Sequence, residues 1–365
     1  MTMGNNRCID AGRENCPCAL AEAGSCLVCG RLSGGSCQNC GWQGTCIYTL
    51  YEQNGRRLIK GRQERLLAVE NIRVYSEGFR VFVLRADRGF CQKAQTAGAY
   101  VFAKAPSADR WYGMPVSVLK SEPDKGLLHL GICSCGPKSA GLLAETEQLC
   151  VRGVYYNALS GLSGLRDDCR ETVIFAKGIA IAPLRNFLDG GSRYAAKLPN
   201  PRLYVDLDKV GQDFFLDYFG DLPAEAVHIR QFAREGLWPG GAVWRDGTPC
   251  RDVEARTGGE AWTDREIWPD GEAWPDGTSR KAGKDRDVWT DSADCADDEP
   301  CRDGQTVRNI FALTSPYYVR RIQKAFGPNV VRPTEGNMCC GEGVCGACTY
   351  VDEQGHLIRQ CKAQV

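Results

Sequence analysis

Histidine is nearly missing from this chain. There are three in 365 residues, His129, His228 and His356, each in a different segment. No histidine-centred acid–base or nucleophilic constellation can be assembled from them, and each reads as an ordinary surface or packed residue. Net charge is missing too: basic and acidic side chains stand at 45 each. No global field therefore argues for nucleic acid or an anionic membrane as a partner. Long apolar runs are also lacking. The longest, Val173–Leu184, is interrupted by Lys177 and is too short to span a bilayer. The opening residues, Met1–Gly12, hold no apolar signal core, so export is not expected and a soluble cytoplasmic protein is.

Cysteine is what the chain has in excess, at 21 residues. Disulfides would not persist in a reducing cytosol, so the spacings read as metal ligands. The most specific lies at the end of the chain. Cys340, Cys345 and Cys348 are spaced Cys-x4-Cys-x2-Cys, and Cys361 follows after twelve residues. That is the plant-type spacing for a [2Fe–2S] cluster, in which three thiolates come from one tight loop and the fourth from a returning strand. Gly341, Gly343 and Gly346 allow the loop to fold closely and aim backbone N–H groups at sulfur. Cys339, one residue out of register, is an alternative to Cys340. A zinc site would favour two short Cys-x2-Cys knuckles instead.

A second array fills the first fifty residues: Cys8, Cys16, Cys18, Cys26, Cys29, Cys37, Cys40 and Cys46. Its two Cys-x2-Cys knuckles, Cys26–Cys29 and Cys37–Cys40, can close one tetrahedral site, with cysteines to spare for another. Structural zinc and an additional iron–sulfur cluster both fit, because so short a segment cannot bury a core of its own.

Between the arrays the pattern alternates. Six short apolar or β-branched runs, Ile72–Tyr75, Arg80–Leu84, Ala99–Ala103, Val116–Leu119, Leu127–Ile132 and Leu149–Val151, are separated by turns. They predict an antiparallel barrel. Then strands at Glu171–Phe175, Arg202–Leu207, Ala226–Arg230 and Val307–Leu313 alternate with helical stretches ending at Phe187, Phe219 and Phe326. That rhythm predicts a parallel sheet with helices on its faces. The stretch Gly236–Gln305 is unlike the rest. It holds six of the eight tryptophans, with Trp262, Trp268 and Trp274 six residues apart, and few aliphatic residues, and reads as an insert without a core. The expected organisation is an α+β multidomain chain: a cysteine-rich segment (1–55), a barrel (62–160), an α/β domain (165–335, insert 236–305) and a cluster-binding domain (336–365).

Barrel, nucleotide domain and C-terminal cysteine loop, in that order, resemble the electron-transfer subunit of dihydroorotate dehydrogenase B and its sulfide-dehydrogenase-like relatives, within the ferredoxin-reductase-like superfamily. The motif C-C-G-E-G-V-C-G-A-C carries the likeness, with Gly136-Pro137-Lys138-Ser139 and Val151–Asn157. The resemblance implies FAD on the barrel, at Pro115, Val116 and Ser117 and at the turn Gly136, Pro137, Lys138 and Ser139. Met114 replaces the family's frequent arginine, a charge that Lys138 could supply. It implies NAD(P)H at Ala176–Pro183, where Gly178, Ala180 and Pro183 match a family loop richer in glycine. It also implies a larger catalytic flavoprotein partner, related to dihydroorotate dehydrogenase or glutamate synthase. The expected function is an oxidoreductase subunit passing electrons between pyridine nucleotide or partner, FAD and the cluster. The alternative is an accessory subunit with a degenerate nicotinamide site that wires a partner through its clusters.

Overall fold

Strand β2 (Phe79–Arg85) shows how the two halves of the molecule are joined. Its side chains alternate between faces, yet both sets are apolar. Phe82 and Leu84 enter one core with Val101, Val118, Leu130 and Val151. Phe79 and Val81 enter another with Ile174, Leu203, Phe214 and Phe311. The first core fills a closed barrel. Its strands are β1 (Glu64–Ser76), β2, β3 (Tyr100–Lys104), β4 (Met114–Glu122), β5 (Leu127–Cys133) and β6 (Gln148–Tyr155), in spatial order β1-β2-β5-β4-β3-β6. All neighbouring pairs are antiparallel. The computed structural model describes residues 8–59, 61–109, 112–189, 198–237, 243–245, 248–250, 308–334, 338–351 and 357–363.

Short β7 (Leu159–Ser160) leads into a four-stranded parallel sheet of β8 (Glu171–Lys177), β9 (Pro201–Asp206), β10 (Val227–Ile229) and a later strand. Beyond β10, strands β11 (Val243–Arg245) and β12 (Thr248–Cys250) form a two-stranded ladder. With Gly236 and Leu237 they are what is described of the expected insert, whose remainder lies outside the described residues. The fourth sheet strand is β13 (Arg308–Leu313), and the order is β10-β9-β8-β13. Helix Gly211–Phe219 covers the face shared with the barrel through Phe214, Phe215 and Phe219. Helix Pro316–Phe326 covers the opposite face through Val319 and Ile322. The chain closes with β14 (Arg332–Pro333), paired to β7, and with the hairpin of β15 (Thr349–Val351) and β16 (Leu357–Arg359). Among the described residues no helix is long and apolar enough to cross a membrane.

One polar contact is buried in the seam between barrel and sheet. His129 on β5 meets the Tyr218 hydroxyl at 2.9 Å through Nδ1 and Glu122 at 3.1 Å through Nε2. Burial pulls its pKa down from 6.5 to about 4, outweighing the pull of Glu122 in the other direction. Between those values the unfolded chain binds a proton that the fold excludes. The stabilisation is therefore complete above pH 6.5 and declines as pH falls toward 4, by up to about 1.4 kcal/mol per unit. His129→Gln should flatten that part of a melting-temperature profile against pH. A variant profile parallel to the parent's from pH 6.5 to 4 would overturn the assignment.

Candidate functional site

The C-terminal cysteine loop packs on the outside of the barrel wall. Gly341, Gly343 and Gly346 all have left-handed backbones, with φ of 69°, 76° and 75°. A β-carbon at Gly341 would stand 2.7 Å from the rings of both Phe102 and Tyr155. Those rings, with Tyr100, form a small aromatic cluster. Glycine is thus required twice over at this position, for conformation and for close approach.

The loop gathers the expected thiols. Cys340, Cys348 and Cys361 are buried and Cys345 is exposed. Cys361 lies within hydrogen-bonding reach of both Cys340 and Cys348, and Cys345 of Cys340. The contact with Cys361 is the main cause that draws Cys340 down to about 4 and Cys348 to about 6. Backbone N–H groups point at sulfur as well, from Glu342 to Cys340 Sγ (3.3 Å) and from Cys361 to Cys348 Sγ (3.4 Å). Cys340 rather than half-buried Cys339 is the member of this set. Among the described residues no group of three or more His, Cys, Asp or Glu side chains is arranged to hold a metal ion.

Two further observations bear on whether an anionic cluster suits this place. The Tyr100 hydroxyl is buried without a hydrogen-bond partner among the described residues, and burial followed by the charge of Cys361 raises its pKa. It is a spare donor beside the Cys361 thiol. Around the loop runs a largely buried ionic network. Lys362 Nζ, fully buried, donates to Asp10 (2.7 Å) and Glu342 (2.9 Å), and Arg62 donates to Asp10 (2.7 Å). Arg152 donates to the Cys340 carbonyl (3.0 Å) and lies 3.7 Å from Glu342. Three cations thus face two carboxylates beside the loop. Within the loop itself, burial raises the Cys345 thiol, and the contacts to Cys340 and Cys348 raise Cys361. Sequence reasoning missed the ionic network. Lys362, next to Cys361, was its only visible trace.

The flavin residues implied by resemblance are brought near one another. On β4, Pro115 is exposed, Val116 is buried in the barrel and Ser117 is half-buried. Lys138, in the first turn of helix Pro137–Ala144, reaches back to the Gly113 carbonyl (3.3 Å) and lies over the Tyr112 ring. That sets an ammonium one residue from Met114, where the family often has arginine. The turn is less free than expected. Ser139 Oγ accepts from the N–H groups of both Cys135 (2.8 Å) and Gly136 (3.0 Å), and Pro137 has none. The N–H groups of Lys138 and Ser139 are the first-turn donors with no partner inside the helix.

The loop after β8 begins on a left-handed glycine. It is a 3-10 turn, Gly178–Leu184, in which Gly178 alone is left-handed, with φ of 53°. Ala180 has no positive φ, so its β-carbon brings no backbone strain. Gly178 and Pro183 are buried, Ala180 is half-buried, and the Asp208 carboxylate stands beside Gly178. Lys177 pairs with Asp206 at 2.8 Å and lies 3.9 Å from Asp208. At the crevice between β8 and β13, where the strand order reverses and ligands of open α/β sheets bind, the buried Thr314 hydroxyl lacks a partner among the described residues.

At the N-terminus the two knuckles do not line one cavity together. Cys26 does so with Cys8, Cys16 and Cys18. Cys29 is buried beside them and donates its N–H to Cys26 Sγ (3.3 Å). Cys37, Cys40 and Cys46 are exposed.

No protein-family model matches the chain, and neither does any curated protein. Solved structures similar to it include the NADH-dependent reduced ferredoxin–NADP oxidoreductase described for flavin-based electron bifurcation. That match has 13% identity and a TM-score of 0.45, and covers 81% of this chain and 84% of that one. Another is a ferredoxin–NADP reductase from Neisseria gonorrhoeae with bound FAD and NADP, at 14% identity and TM-score 0.36, covering 46% and 66%. A third is the ferredoxin reductase of carbazole 1,9a-dioxygenase, at 15% identity and TM-score 0.32, covering 46% and 49%. These are ferredoxin–NADP reductase-like proteins.

Proposed function

We propose that this chain is an electron-transfer subunit carrying FAD on its barrel and a [2Fe–2S] cluster in its C-terminal loop, and that it serves a larger catalytic flavoprotein. One observation carries the reading. Tyr100 on β3 pairs with Ser117 on β4 and lies beside Cys361 on its other side. A single strand thus separates the proposed flavin strand from the cysteine loop. A flavin accepts two electrons as hydride and releases them singly, and a [2Fe–2S] cluster carries one at a time.

The chain's own residues would act by binding and positioning. Ser117 and Lys138 would hold the flavin. Cys340, Cys345, Cys348 and Cys361 would hold the cluster, with the Tyr100 hydroxyl donating toward sulfur. None need act as an acid or base. The accessory reading is favoured by the loop after β8, because Asp206 and Asp208 outnumber Lys177 and would repel a dinucleotide phosphate.

The test is anaerobic purification followed by stoichiometric NADH. The expected result is a flavin absorbance that NADH bleaches slowly or incompletely while dithionite bleaches it fully. Bleaching within the mixing time would establish a full reductase. Absence of flavin from purified protein, with no uptake of added FAD, would overturn the flavoprotein reading.

A further inference from the structure

The C-terminal cysteine loop is held between two walls. One is the barrel, where Gly341 lies against Phe102 and Tyr155 and Arg152 donates to the Cys340 carbonyl. The other is the N-terminal segment. Cys8 forms an antiparallel β-bridge with Ala363, and the Ile9 N–H donates to the Lys362 carbonyl (2.8 Å). Asp10 then meets the Lys362 ammonium at 2.7 Å and the Arg62 guanidinium at 2.7 Å. Farther along the segment, Leu20 sits on the loop itself. A β-carbon at Gly343 would stand 2.9 Å from it and 3.0 Å from the Lys362 side chain. Leu20 and Lys362 are both buried. Between the two walls Cys340, Cys348 and Cys361 are buried, while Cys345 is exposed.

We infer that residues 8–22 are a strap that closes the loop and sets which of its thiols solvent reaches. Asp10 is the clasp and Leu20 the cover. The strap can part from the barrel without disrupting it, because the barrel core contains no residue of the segment. Where the segment meets the barrel surface, it does so through the Glu14–Lys93 pair (2.6 Å), which is half-exposed, and through Arg13 over the Tyr156 ring. Exposed pairs of this kind contribute little, so the contacts to the loop hold the strap down. Opening it would uncover Cys340 and Cys361 by a local step that costs less than global unfolding. By linkage, whatever orders the segment also closes the loop. The strap concerns the thiols themselves and does not rest on the function proposed above.

The experiment is alkylation of the full chain with iodoacetamide, in the presence of a chelator and a phosphine that keep the thiols free, mapped by peptide mass spectrometry. In the parent, Cys345 should label fast and Cys340 and Cys361 slowly. Two variants loosen the strap at separate points. Asp10→Asn unfastens the clasp, and Leu20→Ala thins the cover without touching the ionic network. Each should speed labelling of Cys340 and Cys361 by about tenfold or more, the scale expected for losing a buried charge partner or a buried leucine. Cys91, in the barrel core, should keep its parent rate in both variants. Fast labelling of Cys340 and Cys361 in the parent would overturn the strap. So would parent rates at both thiols in both variants. An equal acceleration at Cys91 would overturn it too, because global unfolding would then be the route of exposure.

Discussion

Lys362→Met is expected to destabilise the protein by about 3–5 kcal/mol, the usual cost of removing one partner from a buried ion pair. Lys362 Nζ is fully buried between Asp10 at 2.7 Å and Glu342 at 2.9 Å. Both carboxylates would remain, with Arg62 and Arg152 as their other cations, so the lower end of that range is the better expectation. Burial pushes the Asp10 carboxyl up, but Lys362 and Arg62 outweigh it and hold it below its ordinary value. That stabilisation is present above the ordinary carboxylate pKa and is lost as pH falls through the depressed one. The measurement is the thermal midpoint near neutral pH, together with hydrogen exchange at Ile9, whose N–H is tied to Lys362. Faster exchange at Ile9 would locate the damage at the docked N-terminal segment. A midpoint within a degree of the parent's, with Ile9 still protected, would show that the network contributes little.

The other large effect is at the proposed cluster. Cys348→Ser should abolish the [2Fe–2S] signal while the barrel still folds, because the barrel core contains no residue of the loop. Cys348 is buried and its sulfur accepts the Cys361 N–H. Serine offers a harder, more basic oxygen that must be deprotonated to ligate. Cys339→Ser should leave the signal in place, since Cys340 holds the contacts to Cys345 and Cys361. Retention of the signal in Cys348→Ser, with iron undiminished, would remove the loop from the mechanism.

Much of the strand framework was legible. Each of the six runs expected for the barrel overlaps one of its strands, and the four runs expected for the parallel sheet overlap β8, β9, β10 and β13. Most of these segments are buried on one or both faces, which leaves an apolar pattern in the chain; Ile72–Tyr75 and β10 are the exceptions, half-buried or exposed throughout. What was missed carries a weaker pattern. The first half of β1, Glu64–Ala68, has mostly exposed side chains, and only its pairing with β6 makes it a strand. Helix Arg88–Ala94 is short and owes its start to the Asp87 cap on the Phe90 N–H. In the loop after β8 the residue that needs a left-handed backbone is Gly178, where glycine is present, and not Ala180, two positions later.

The sequence by itself determined what depends on near neighbours. The spacing of Cys340, Cys345 and Cys348, the glycines between them and the periodicity of the strands are all properties of short stretches. Tertiary structure alone decided which distant groups meet. Lys362 meets Asp10 across 352 positions. Cys26 shares its cavity with Cys8, Cys16 and Cys18, while Cys37 and Cys40 stay at the surface. Such pairings leave no local signal, because they follow from how the barrel wall holds the C-terminal loop and how that loop receives the N-terminal segment. A charge or thiol reads the same in sequence whether it meets solvent or its partner.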